Sequence, residues 1–393
     1  MIGAARAAST YRVPFNRPTR TDRDWEYVRE SLEDVYIAGD GPFTKRCHQL
    51  LQDTIGVARA LLTTSCTHAL EMSAILADVR PGDEVIVPSF TFVSTINAFV
   101  LRGATPVFAD IHPDTLCIDE RHVQQLLGPR TKAVVAVHYG GVACDMDALV
   151  PMVTDAGAVL IEDNAHGLFG SYKGRPLGTF GPMATLSFHE TKNLTCGEGG
   201  ALLINDRTLA ERAEIVREKG TDRSKFFRGE VAKYGWVDVG SSYLPSDILA
   251  AMLAAQLEKR DWIQERRRRL WERYGAALGG SHGWAAQRGI RLPYIPPDRD
   301  QSFHMFYMLA PSAERRESLL AHLRAARILA VSHYVPLHSS KMGKILGGRD
   351  GQCPVTEHVA DVLVRLPFFT NMTDSEQDQV IEALEAFPAQ SFS

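Results

Sequence analysis

From about residue 59 the apolar positions follow two alternating rhythms. Short β-branched runs ("RALLTT", "DEVIVP", "TPVFAD", "KAVVAVH", "AVLIED") are separated by segments of helical period ("THALEMSAILA", "STINAFVLRG", "ERHVQQLL", "MDALVPMVTDAG"). Unbroken apolar runs mark strands covered on both faces, and the segments between them supply the crossovers that a parallel sheet requires. Two more runs, "ATLSFH" and "GALLIN", follow with no helix between them, which predicts a hairpin completing the sheet around "ETKNLTCGEG". Residues 245–279 read as long helices, with the run Arg266 to Arg269 as a solvated face. After "GGSHGW" the pattern changes to "HMFYMLA", helical "RRESLLAHLRAARI", "AVSHYV" and a last helix over "SEQDQVIEALEAF". The expected division is a large α/β domain over residues 1–258 and a small C-terminal α+β domain over 259–393.

At 393 residues, with 45% apolar side chains, the chain exceeds what one compact core usually holds. Its 43 basic and 47 acidic side chains leave a net charge of -4, so no global field recruits nucleic acid or an anionic membrane. The opening "MIGAARAASTYRVPF" lacks the apolar stretch of a signal peptide, and no window approaches the roughly 20 apolar residues of a membrane span. A cytoplasmic protein is expected. Cys47, Cys66, Cys117, Cys144, Cys196 and Cys353 show no CxxC spacing, which predicts free thiols and no zinc site. The sequons at Asn193 and Asn371 are then chance matches.

In open parallel sheets ligands collect beyond the carboxyl ends of the strands. Four such ends carry chemistry. In "LLTTSCTHALEM", Ser65, Cys66 and Thr67 sit between strand and helix, where free N–H groups and hydroxyls suit a phosphate, although an ordinary helix cap uses the same residues. "VLIEDNAHG" delivers Asp163, a carboxylate able to hold a protonated ring nitrogen. "PSFTFVS" places Phe92 where it can lie against an aromatic ligand. "SFHETKNLTCGEGGAL" sets Lys192 among Ser187, Thr191 and flexible glycines, and a partly desolvated amine favours Schiff-base formation. A lysine for an aldehyde, an aspartate for a pyridinium, a turn for a phosphate and an aromatic for a ring face are the parts of a pyridoxal 5'-phosphate site. There is no GxGxxG after a strand, no Walker lysine motif and no HExxH. "GGSHG" fits G-x-S-x-G but follows a helix instead of a strand. His333 and His338 in "HYVPLH" lack a third metal-ligand candidate and are read as lining the substrate side of the cleft.

The strings "TSCTHALEM", "PGDEVIVPSFTFVST", "GATPVFADIHPDT", "EDNAHG", "SFHETKN", "GEGGAL" and "HYVPLH" resemble the DegT-type sugar aminotransferases, pyridoxal phosphate enzymes of the aspartate aminotransferase fold (fold type I). The likeness runs from about Val13 to the C-terminal helix. "GDGPFTKRC", "VHYGGVACDMD", "REKGTDRSKFFRGEV" and "VGSSYLPSD" are similar to one branch, the dTDP-4-amino-4,6-dideoxygalactose transaminases. The resemblance implies Lys192 as the Schiff-base lysine, Asp163 as the pyridine-nitrogen partner, Phe92 as the stacking aromatic, and Ser187, Cys66 and Thr67 around the phosphate. His166 stands near the ring, where many relatives have Gln. Many relatives also send an Asn from "GYNYR" to the neighbouring subunit's phosphate. "GSSYL" offers Ser242 there, so that contact is less secure, while a homodimer with shared active sites remains implied. Tyr334 and His338 are expected at the substrate, with Lys219 or Arg228 neutralising the diphosphate of the sugar nucleotide. The implied reaction moves an amino group from L-glutamate to C4 of dTDP-4-keto-6-deoxy-D-glucose. Alternatives are a different nucleotide-linked keto sugar, or a binding protein that keeps the fold without turnover. A related dehydratase branch carries histidine at the lysine position, which Lys192 argues against.

Overall fold

The computed structural model describes residues 10–34 and 36–389, so the first nine residues of the opening read above for a leader lie outside the described part. Seven strands form the main sheet: β1 (Arg59–Thr63), β2 (Glu84–Pro88), β3 (Thr105–Ala109), β4 (Thr131–Val137), β5 (Val159–Asp163), β8 (Met183–Ser187) and β9 (Gly200–Ile204). Their order is β1-β9-β8-β5-β4-β2-β3. Pairs β3-β2, β2-β4, β4-β5 and β5-β8 are parallel, and β9 runs antiparallel to both β8 and β1. The strand runs and the closing hairpin thus match the sequence pattern. Val134, Val135 and Ala136 of β4 are fully buried, as a parallel strand covered on both faces demands.

The crossover helices Cys66–Leu76, Glu120–Leu126 and Met146–Asp155 start at Ser65, Asp119 and Asp145, whose side chains accept from His68, Arg121 and Ala148 N–H. Helix Pro42–Ile55 is capped from far away: Asp247 accepts from the N–H groups of Phe43 and Thr44 at 3.1 and 2.8 Å. A short sheet of β6 (Ser171–Tyr172), β7 (Arg175–Pro176) and β10 (Arg299–Asp300) flanks the main one. Toward the C-terminus β11 (Tyr307–Leu309) pairs with β12 (Leu363–Arg365), and helices Arg260–Leu278, Ala313–Ala325 and Asp374–Glu385 bury Leu270, Tyr274, Leu319, Leu323 and Val380 around them.

Two expectations change. Arg267 is only 2% exposed, because the spacing Ile263, Arg267, Leu270, Tyr274 puts it on the inward helix stripe. Its guanidinium donates to the carbonyls of Phe303 and His304 at 2.8 and 2.6 Å, while Arg268 and Arg269 remain exposed. "AVSHYV" forms no strand, and a single bridge joins Val331 to Arg365. Among the described residues no helix is long and apolar enough to cross a membrane.

Candidate active site

Because β1, β2, β4, β5 and β8 run the same way, their carboxyl ends share one edge of the sheet. Register sharpens this: Gly200, the first residue of β9, pairs with Thr63 at the end of β1 and with Ser187 at the end of β8. The turn 64–65, the start of helix Cys66–Leu76 and Ser187 therefore meet. A Cβ on Gly200 would stand 2.3 Å from the Ser65 carbonyl carbon and 2.4 Å from the Cys66 nitrogen, so only glycine allows this approach.

A cavity of about 530 Å³ opens at this edge. It gathers Ser65, Cys66, Thr67, Phe92, Asp163, His166, Ser187, Lys192 and Tyr334, residues drawn from positions 65 to 334 of the chain. Ser65 does serve as a helix cap, its hydroxyl accepting from His68 N–H at 3.1 Å. The N–H groups of Cys66 and Thr67 have no partner among the described residues, as expected of a first helical turn, and face an anion with the positive helix end.

Asp163 ends β5 on the cavity side, whereas its neighbour Glu162 points to the other face. There Glu162 accepts from Gly178, Phe180 and Gly181 N–H at 2.8, 2.7 and 2.9 Å and from His138 Nε2 at 3.0 Å. Asp163 accepts from Thr95 Oγ1 at 2.8 Å and Ala165 N–H at 3.2 Å. Burial raises its carboxyl above the ordinary range despite these bonds, so it has unmet demand for a cation.

Lys192 lies in the β8–β9 connection, half-buried, with no hydrogen bond to its amine among the described residues. Burial pushes it down to about 8, against the opposing pull of Cys66 and Asp163. The next residue anchors the loop: Asn193 donates to the Ser302 carbonyl at 2.7 Å and pairs with His304 Nδ1 at 3.0 Å. Being buried, Asn193 is no glycan acceptor. His304 stacks on His166 with ring centroids 4.3 Å apart and planes at 18°. Gly140 N–H donates to His166 Nδ1 at 3.3 Å, and burial keeps that imidazole neutral. Phe92 is 55% exposed, so its ring is open to a planar ligand. Tyr334 stacks on His333, whose Nδ1 takes the Tyr139 hydroxyl at 2.6 Å.

Four of the expected residues are elsewhere. His338 is wholly buried and does not line the cavity: it bonds Ser89 through Nδ1 and Glu357 through Nε2 at 2.9 Å. It fastens the loop that carries His333 and Tyr334 to the end of β2, which corrects its reading as a substrate ligand. The Ser89–His338–Glu357 chain is no hydrolase site, since Ser89 is fully buried. Lys219 and Arg228 lie outside the cavity, bonded to Glu218 at 3.0 Å and to Glu214 at 2.7 Å. Ser242 is exposed and bridged to Glu218. Ser281 of "GGSHG" is exposed beyond the end of helix Arg260–Leu278, with no strand before it. Thr95, His304 and Arg365 belong to the site without having been picked out. Thr95 was within reach, one helical turn beyond Phe92; nothing in their own segments signals the other two.

The residues present fit pyridoxal phosphate: an uncommitted amine, a carboxylate facing it from a strand end, and free N–H groups at a helix start. The comparisons agree. The DegT/DnrJ/EryC1/StrS aminotransferase family matches residues 18–385. The chain is 31% identical to the spore coat polysaccharide biosynthesis protein SpsC of Bacillus subtilis over 95% of its length and 96% of that protein's. It is similar in structure to the aminotransferase TlmJ of Streptoalloteichus hindustanus (TM-score 0.86, 31% identity, 95% of this chain and 98% of that one). The putative sugar aminotransferase Spr1654 of Streptococcus pneumoniae, solved in PLP and PMP forms, superposes with TM-score 0.87 at 27% identity over 95% of this chain and 98% of that one. With its mostly parallel seven-stranded sheet and smaller C-terminal α+β part, this chain belongs to the DegT/DnrJ/EryC1/StrS aminotransferase family, as a pyridoxal phosphate-dependent sugar aminotransferase of fold type I.

Proposed function

We propose that the enzyme transfers an amino group from L-glutamate to C4 of dTDP-4-keto-6-deoxy-D-glucose, giving a dTDP-4-amino-4,6-dideoxyhexose. The observation that carries the chemistry is the unpartnered, desolvated Lys192 amine on the same sheet edge as Asp163. The substrate assignment is supported by the long strings "REKGTDRSKFFRGEV" and "VGSSYLPSD".

Pyridoxal phosphate supplies an aldehyde for the amine and a ring that takes up carbanion charge. Lys192 would hold that aldehyde. Its amino group, when free of it, would be the base and acid that moves a proton at the donor's Cα. Basicity near neutral pH suits it to both directions. Asp163 keeps the ring nitrogen protonated, and Thr95 and Ala165 N–H fix the carboxylate for that bond. The N–H groups of Cys66 and Thr67, with Ser65 and Ser187, hold the phosphate. Phe92 would cover one ring face, and His166, aligned by its stack on His304, would stand beside the ring. Tyr334 borders the sugar.

The functional unit in this reading is a homodimer. Segment 219–242 exposes Phe227, Trp236, Val237 and Val239, an apolar surface suited to a partner subunit. Across that interface Lys219 and Arg228 exchange their internal carboxylates for the diphosphate of the partner's substrate, and Ser242 approaches its phosphate turn. Incubation with dTDP-4-keto-6-deoxyglucose and L-glutamate, with the product's ring couplings read by NMR, tests the assignment and gives the C4 configuration. Turnover of another nucleotide's keto sugar in preference would replace the substrate and leave the chemistry standing.

A further inference from the structure

One guanidinium in the cofactor cavity has no task in the scheme above. Arg365 closes β12 and is fixed through its backbone on both sides: it faces Tyr307 in the pair with β11 and exchanges hydrogen bonds of 2.7 and 3.1 Å with Val331. Its side chain lines the cavity with Lys192, its Cζ 4.7 Å above the Phe15 ring. Of its five N–H donors one is used, Nη2 to the Ser332 carbonyl at a long 3.3 Å. The Nε is buried without a partner, and no carboxylate lies within ion-pair reach among the described residues. Two arginines buried more deeply have their Nη groups met, although the Nε of Arg217 is also without a partner. Arg267 donates to two carbonyls and to Thr370 Oγ1, and Arg217 has Asp40, the Leu62 carbonyl and His48.

An unpaired guanidinium in a desolvated wall costs free energy unless something anionic meets it. Burial holds Arg365 below the usual guanidinium range. Its Nη2 contact with the Ser332 carbonyl and its backbone pairing with Val331 set it beside the segment that carries His333 and Tyr334. The phosphate turn belongs to the start of helix Cys66–Leu76 on the main sheet, whereas Arg365 is held by β12 and the 331–332 segment, so the anion assigned to it is a part of the substrate. The donor brings one by necessity, since an α-amino acid carries its carboxylate on the carbon whose proton Lys192 must reach. A planar fork with free donors matches a carboxylate in two-point contact.

We propose that Arg365 is the subsite for the α-carboxylate of the amino donor and makes the enzyme select α-amino acids over simple amines. This rests on the transaminase reading, in which donor and keto sugar use the cavity in turn. The sugar nucleotide's diphosphate is the other oxyanion available, and the two half-reactions separate the sources.

The test uses the holoenzyme and follows the visible absorbance of the lysine-bound cofactor. In Arg365→Gln the L-glutamate concentration for half-maximal loss of absorbance rises about 30-fold or more, the cost of removing one partner of a desolvated charge pair. Arg365→Lys recovers part of it, and the half-reaction of the keto sugar with the aminated enzyme changes less than about 3-fold. In the wild type, 4-aminobutyrate, which has no α-carboxylate, needs at least about 30-fold more than glutamate. Calorimetry with glutarate, which cannot react, shows binding to the wild-type chain that is about 10-fold or more weaker in Arg365→Gln, with or without cofactor.

Unchanged glutamate dependence with a weakened sugar half-reaction would assign Arg365 to the diphosphate and overturn the proposal. Two unchanged half-reactions would reduce it to a packing partner of Phe15. If Arg365→Gln does not fold, the wild-type donor comparison and Arg365→Lys decide. A wild-type chain that forms no lysine-bound cofactor would sink the transaminase reading, and glutarate binding would still report on the subsite.

Discussion

Two cavities of this chain, of about 530 and 630 Å³, settle their charges in opposite ways. The larger is lined by Arg59, Arg217, Arg223 and Arg228, each with a carboxylate: Glu214 for Arg59 and Arg228, Asp40 for Arg217, Glu218 for Arg223; its remaining cation, Lys45, is exposed to solvent and has no ion pair among the described residues. In the smaller, apart from a solvent-exposed His189–Glu198 contact at 3.6 Å, Lys192 and Arg365 have no ion pair among the described residues, and the Asp163 carboxylate meets only a hydroxyl and an N–H. Paired charges hold a shape, whereas unpaired charges in a desolvated wall hold open a demand that a ligand meets. Cavity size does not separate the two, and charge pairing does.

The contrast breaks most severely at the lysine. Lys192→Ala is expected to abolish the visible absorbance of the reconstituted protein and to lower transamination by about 10⁴-fold or more, measured in single turnover. Asp163→Asn keeps the shape but withdraws the charge opposite the ring nitrogen. It should slow proton transfer by about 10²–10³-fold and change cofactor affinity far less. The depressed basicity of Lys192 can be read without cofactor. Its amine is half neutral near pH 8, so acylation of the apo protein at pH 7–8 should mark Lys192 about two orders of magnitude faster than surface lysines, with a rate rising through about pH 8.

The paired cavity offers a milder test. If Arg228 serves the partner's site, mixing inactive Lys192→Ala and Arg228→Ala subunits should restore about a quarter of wild-type activity, because half of the dimers are mixed and each of those has one intact site. No recovery would confine Arg228 to its own protomer. The smallest effect is expected at His338. His338→Ala leaves Ser89 and Glu357 without their partner and should lower stability by about 1–3 kcal/mol in denaturant unfolding, while raising the KM for the keto sugar only modestly through a loosened Tyr334.

Much of the sheet and its ligand edge is legible along the chain, because parallel strands must be apolar throughout and their ends must carry whatever chemistry there is. Lys192, Asp163, Phe92 and the Ser65–Thr67 turn all follow from that rule. What escaped depends on partners distant in sequence. Helix Pro42–Ile55 has its cap in Asp247, some two hundred residues on. Arg267 reads as one of four surface arginines until Phe303 and His304 turn their carbonyls toward it. His338 looks like a cleft ligand beside His333 until Ser89 and Glu357 enclose it. Arg365 sits in "LVRLP", an apolar run at the far end of the chain, and only the fold carries it to Lys192.

The central claim is that the amine at position 192 forms the reversible covalent tether to the cofactor. Reconstitution with pyridoxal phosphate, reduction with borohydride and mass mapping of the peptides tests it most directly. The account predicts a single modified peptide, carrying the reduced adduct on Lys192 and none after prior incubation with L-glutamate. An adduct on a different lysine, or no adduct at all, would contradict it.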